Sequence, residues 1–91
     1  MSQLDIAAAD PPPRPPVREG QRVELELRRP GSQVLRVVAE AYEGRPLLSL
    51  EKWCVPRGRK HWWRAQRVRI APHEAADVAR ALVEAGRRAR R

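Results

Sequence analysis

Phenylalanine is absent from this 91-residue chain, cysteine and methionine occur once each, and only four residues are aromatic. The single thiol, Cys54, excludes an intrachain disulfide framework and a cysteine-based metal site, and it fits a reducing, cytoplasmic setting. No apolar run approaches the ~18 residues that a membrane span needs. The start, M-S-Q-L-D-I-A-A-A-D, lacks the basic opening and long apolar centre of a signal peptide. Histidine is scarce too: His61 and His73 stand at metal-ligand spacing with neither each other nor Cys54. No glycine-rich phosphate loop or Ser/His/Asp arrangement occurs. Glu74 and Asp77 lie on adjacent turns of an expected helix, where acids near the positive end of the dipole need no catalytic explanation. The sequence therefore predicts a protein that is not an enzyme, holds no metal and needs no cofactor.

Acid is missing from one place in particular. Residues 52–70 hold all three tryptophans (Trp53, Trp62, Trp63) and seven cations (Lys52, Arg57, Arg59, Lys60, Arg64, Arg67, Arg69) without a single Asp or Glu. The formal net charge of +8 is unevenly placed: residues 1–44 carry six Arg against seven acids, residues 45–91 thirteen cations against four. Such an asymmetry is the electrostatic footprint of a nucleic-acid binder. Guanidinium and ammonium groups attract phosphate, and indole faces stack on unpaired bases at ~1–3 kcal/mol per base. A single-stranded nucleic acid suits that pairing better than a membrane or a metabolite.

Ninety-one residues support one domain with a modest core. Residues 1–20, with P-P-P-R-P-P at 11–16, read as a stiff disordered leader in extended geometry. From Arg22 the hydrophobic period becomes two, with Val23, Leu25 and Leu27 on one face of a half-buried strand. Pro30-Gly31-Ser32 is a turn. A second strand covers residues 33–42, with Leu35, Val37, Ala39 and Ala41 on one face. Glu43-Gly44-Arg45 makes a hairpin turn in which Gly44 takes positive φ. A third strand spans residues 47–55, with Leu48, Leu50 and Cys54 facing one way and Ser49, Glu51 and Trp53 the other. Residues 56–60 form a basic loop.

The fourth strand covers residues 61–70. Plain alternation places Trp62 with Val68 and Ile70, and Trp63 opposite; a bulge near residues 65–67 would change that phase, leaving open which indole is exposed. Pro72 then opens a helix. Ala75, Val78, Leu82 and Ala85 make its apolar stripe, Gly86 ends it, and residues 87–91 form a basic tail. The fold class expected is α+β, an antiparallel ββββα unit over residues 21–86. One helical stripe cannot cover both faces of a four-stranded sheet, so the other face must stay wet, meet a second subunit or hold a ligand.

These residues resemble the PC4 family, the positive cofactor 4/p15 transcriptional coactivators that bind single-stranded DNA. V-V-A-E-A-Y-E-G-R-P-L-L-S-L-E-K-W (37–53) looks like that family's strand–aromatic–basic–Gly–basic–strand hairpin. P-R-G-R-K (56–60) is similar to its Pro-Gly-Arg-Lys turn with one residue added, and R-V-R-I-A-P-H-E-A (67–75) to its strand-to-helix junction. Glu43, Cys54 and Ala75 depart from the pattern, standing where a basic residue, a second aromatic and a tryptophan are usual. The layout is also similar to that of the Whirly and Pur-type single-strand binders. The resemblance implies a homodimer joined through the helix, with Val78, Leu82 and Ala85 at the interface. It also implies a stacking role for Tyr42, a backbone contact for Arg45, the basic-turn role for Arg59 and Lys60, and a place for Trp53 near a strand aromatic.

The function expected is non-enzymatic binding of single-stranded DNA or RNA in transcription, replication or repair. The site is read as Tyr42, Arg45, Lys52, Trp53, Arg57, Arg59, Lys60, Trp62, Trp63, Arg64, Arg67 and Arg69. The location expected is the cytoplasm, at the nucleoid in a bacterium, or the nucleus in a eukaryote. The competing expectation is a small adaptor that docks a protein partner through its sheet face or proline-rich leader, with basicity incidental.

Overall fold

The structure is a computed structural model that describes residues 12–90; residues 1–11, which include the start of the proline-rich leader, and Arg91 lie outside the described residues. Four strands run in sequence order through one antiparallel sheet: β1 (Arg22–Arg29), β2 (Gln33–Tyr42), β3 (Arg45–Cys54) and β4 (Trp63–Ile70). A 3-10 turn at Pro72–Glu74 leads into helix α1 (Ala75–Ala89). The α+β class and the ββββα order are those read from the periodicity.

Turn chemistry sets the register. Tyr42 pairs with Arg45 across a two-residue turn in which Glu43 and Gly44 have φ of 51° and 77°. Both residues must be left-handed there, and Gly44 adopts that region without a Cβ penalty. The β2–β3 ladder then runs unbroken from Tyr42↔Arg45 to Gln33↔Cys54. β1 and β4 each break step once. The pairing jumps between Val23 and Leu25, which turns Val23 to the opposite face from Leu25 and Leu27. That corrects the expectation that the three share a face: Glu24 is the extra residue, and one inserted residue reverses a period-two phase.

The second irregularity decides the tryptophans. Trp53 pairs with Arg64 but Lys52 pairs with Gln66, so Ala65 is bulged out of β4. Trp63, opposite Cys54, therefore shares a face with Gln66, Val68 and Ile70, and Arg64 joins Arg67 and Arg69 on the other. Plain alternation gives the reverse, with Trp62 beside Val68 and Ile70; the bulge is the physical reason it fails.

The two faces differ in kind. The front face carries Glu26, Val34, Arg36, Val38, Glu40, Ser49, Glu51 and Trp53, and holds the fully buried apolar residues, Val34 and Val38. The back face carries Leu25, Leu27, Leu35, Val37, Leu48, Leu50, Val68 and Ile70. Helix α1 meets it only in part: Ala75, Val78, Ala79 and Leu82 line one apolar cleft with Val37, Leu48, Leu50 and Ile70. No helical residue is buried, and Leu82 is 62% exposed. Leu25, Leu27 and Val68 remain about half exposed beyond the helix's reach. The radius of gyration, 16.4 Å, exceeds the ~12 Å of a closed domain of this length.

The helix also passes its expected stop. It runs through Gly86 to Ala89, taking in part of the basic tail. Glycine costs about 1 kcal/mol inside a helix. Arg87 and Arg88, both paired with Glu84 at 3.4 and 3.9 Å, sit one and two positions beyond it and support the extra turn.

Candidate nucleic-acid interface

The front face is a polar face with a buried centre. Arg36, Ser49 and Glu51 are each 1% exposed. Arg36 donates to Glu26 Oε1 from Nη2 at 2.7 Å and from Nε at 3.1 Å. Its guanidinium also lies 5.8 Å from the centre of the Trp53 ring, with that of Arg64 at 6.0 Å. The Trp53 indole N–H donates to Glu51 Oε1 at 2.8 Å, and Arg64 reaches Glu51 Oε2 at 3.5 Å. Glu51 Oε2 accepts no hydrogen bond of good geometry, so the Arg64 contact is an ion pair only. Trp53 is thus half-buried, flanked by two cations and tied to an acid. Cation–π contacts of this kind are worth ~0.5–2 kcal/mol and rise with desolvation.

Two carboxylates on this face are held below their ordinary pKa. At Glu26, burial acts to raise it, but hydrogen bonds from Arg14 and Arg36 and their positive charge outweigh burial. At Glu40, the hydrogen bond from the Ser49 hydroxyl (2.5 Å) is the main cause; burial opposes it, and the Gln21 amide and the charges of Arg69 and Arg67 add to the lowering.

Beyond this network the face is cationic. Register places Arg64, Arg67 and Arg69 of β4 alongside Trp53, Glu51 and Ser49 of β3, and Arg45 beside Tyr42 at the hairpin. Arg45, Arg67 and Arg69 form no ion pair among the described residues. Tyr42 is 53% exposed, with the Arg69 guanidinium 5.0 Å from its ring centre. Tyr42, Arg45, Pro46 and Leu47 border a shallow recess with Ala71. From Arg45 to Trp53 the β3 edge of this stripe measures about 27 Å at the usual rise per residue.

At the far end Arg57, Arg59 and Lys60 project from the exposed loop before β4. His61, Trp62 and Trp63 form a second recess with Pro56 and Arg59. Trp62 is half-buried, and its indole N–H donates to the Pro12 carbonyl at 2.7 Å.

The residues expected to make one surface therefore divide. Tyr42, Arg45, Trp53, Arg64, Arg67 and Arg69 come together on the front face, with Trp62 at its margin and the loop cations beyond. Lys52 and Trp63 stand on the back face, opposite Gln66 and Cys54. Trp63 is 64% exposed there, with the Lys52–Gln66 pair between it and the apolar residues Leu50 and Val68. Glu26, Arg36, Glu40, Ser49 and Glu51 organise the front face, yet composition singled out none of them. The available signal was opposite charge at in-phase positions of neighbouring strands: Glu26↔Arg36 and Arg36↔Glu51.

Residues 12–20 also differ from the free leader that proline content predicts. They form neither helix nor strand, yet Pro15 is buried, Arg36 donates to the carbonyls of Pro15 and Pro16 at 2.9 Å each, and Arg14 pairs with Glu26 at 2.9 Å. Buried Arg36 has more donors than the sheet can satisfy, and the proline carbonyls, free of internal partners, supply acceptors.

Among the described residues no group of three or more His, Cys, Asp or Glu could hold a metal ion, and no helix is long and apolar enough to cross a membrane. Compared with protein families, curated proteins and solved structures, the chain matches none.

Proposed function

We propose that this protein binds single-stranded nucleic acid, DNA or RNA, along the β3–β4 side of its front face, and that it catalyses no reaction. The observation that carries the reading is the exposed Tyr42 ring with Arg69 against it, in line with Arg45 and Arg67, three arginines that form no ion pair among the described residues. An unpaired base stacks on the open side of Tyr42, and the arginines take the flanking phosphates. The loop cations Arg57, Arg59 and Lys60 extend the track past Trp62. Trp53 holds the face in shape, and Arg64, already shared with Glu51, contributes less to phosphate. Six uncommitted cations give a log–log salt slope of about −4 on single strands. Stacking accepts any base, so sequence preference is weak. Roles in transcription, replication or repair are compatible with such binding.

We propose further that the working form is a homodimer. What supports this is that Leu25, Leu27 and Val68 of the back face and Val78, Leu82 and Val83 of α1 are all exposed apolar side chains, a surface that a second copy would cover. Val78 and Leu82 are exposed on α1, and Ala85 lies one turn further along the exposed helix; these are the positions at which the resemblance would put the interface.

Fluorescence anisotropy of labelled oligo-dT, against duplex of equal length at two salt concentrations, tests the main reading. Tight single-strand binding that weakens steeply with salt, and that falls on Tyr42→Ala or Arg69→Ala, is expected. Equal or stronger duplex binding, or none at low salt, rejects it.

A further inference from the structure

We infer that the front face of β1 and β2, walled by Trp62, is a binding site for proline-rich segments of the type Pro-Pro-Arg-Pro-Pro. The chain fills this site with its own residues 12–16, and a proline-rich segment of another protein takes it in exchange. The inference does not depend on nucleic-acid binding.

Four of the five carbonyls in this stretch are read individually. Trp62 Nε1 donates to Pro12, Arg28 to Pro13, and the two Nη atoms of Arg36 to Pro15 and Pro16. Proline has no N–H, so these carbonyls lack any partner within the segment, and a bend at Pro13 and Arg14 presents them to donors on three different strands or loops. The one residue that is not proline is read as well. Arg14 grips Glu26 with two bonds, Nε–Oε2 at 2.9 Å and Nη2–Oε1 at 3.3 Å. Proline-rich ligands are generally recognised by aromatic-lined grooves; here the aromatic wall adds an indole N–H aimed at a proline carbonyl, and Glu26 supplies an acid for the basic residue.

The resident segment does not fill its site. A recess of about 240 Å³ stays open between Pro12, Arg14 and Pro16 on one side and His61 and Trp62 on the other. A segment with a bulkier side chain at that point makes contacts that residues 12–16 lack. Only residues 17–21 join the resident segment to β1, which gives it a high effective concentration. A competitor must therefore be tested where the resident is weakened.

The test uses the full chain, labelled with ¹⁵N, and the three indole N–H signals, with Trp62 assigned through Trp62→Phe. In an Arg14→Glu/Pro15→Ser variant the Trp62 signal is expected to move. A synthetic peptide of residues 9–20 then returns it saturably to its original position, and the same peptide carrying Arg14→Glu does so about tenfold more weakly, the loss of one charge-assisted contact. A Trp62 signal that stays put in the variant overturns the inference, because the segment is then not seated in solution. A signal that moves but ignores millimolar peptide overturns it too, because the contact is then only part of the fold. If the double variant loses the peak dispersion of the sheet, Arg14→Gln alone gives the same readings.

Discussion

Arg36 is the residue whose replacement most directly tests this account of the front face. It is 1% exposed, and its side chain serves Glu26, two proline carbonyls and the Trp53 ring together. Arg36→Met keeps an unbranched stem of roughly similar bulk, though a shorter one, and removes every donor. Stranding one partner of a buried ion pair costs about 3–5 kcal/mol. Glu26 keeps Arg14, and its side chain is 16% exposed, so water reaches it; the lower end, about 3 kcal/mol, applies. For a domain of this size that corresponds to a fall in Tm of about 15 °C. Urea unfolding followed by tryptophan fluorescence at one fixed protein concentration measures it.

Two companion variants separate causes. Arg36→Lys retains the charge but cannot span the carboxylate and two carbonyls, so it falls between the wild type and Arg36→Met. Arg36→Met with Glu26→Leu removes the stranded acid and recovers a good part of the loss. A change under about 0.5 kcal/mol in Arg36→Met, the scale of an ordinary surface substitution, refutes the reasoning. So does a double variant no better than the single, since packing rather than the stranded charge would then dominate.

Other outcomes follow from the same geometry. Glu26 and Glu40 have folded pKa values below the 4.5 of the free side chain, so they contribute stability that is present above pH 4.5 and is lost as pH falls through their folded values. Glu26→Gln/Glu40→Gln should therefore flatten the dependence of unfolding free energy on pH below 4.5, and an unchanged acid limb argues against these contacts. Trp53→Ala, half-buried between Arg36 and Arg64, should destabilise by about 3 kcal/mol, whereas exposed Trp63→Ala should shift stability by about 0.5 kcal/mol or less in the monomer; equal losses in urea titrations contradict the two-face assignment. Leu82→Glu, or Val68→Glu on the back face, should convert a dimer to a monomer in multi-angle light scattering; a monomeric wild type at every concentration removes the dimer proposal.

Residue pattern alone determined the element order. Period-two alternation from Arg22, the Glu43-Gly44 turn and Pro72 before an apolar stripe are local signals, governed by backbone sterics and by the phase of side chains over a few residues. The gathering of cations near the third and fourth strands was equally visible, because charge needs no fold to be counted. What the tertiary structure alone decided is which of those residues meet. The bulge at Ala65 adds one residue, reverses the phase of β4 and sends Trp63 to the apolar side while keeping Arg64 beside Trp53. Composition treats Arg36 as one more cation and P-P-P-R-P-P as an unstructured leader. Only the three-dimensional arrangement shows that a buried guanidinium with spare donors and a proline segment with spare carbonyls satisfy one another, since hydrogen-bond partners ten to twenty residues apart leave no periodic trace in the chain.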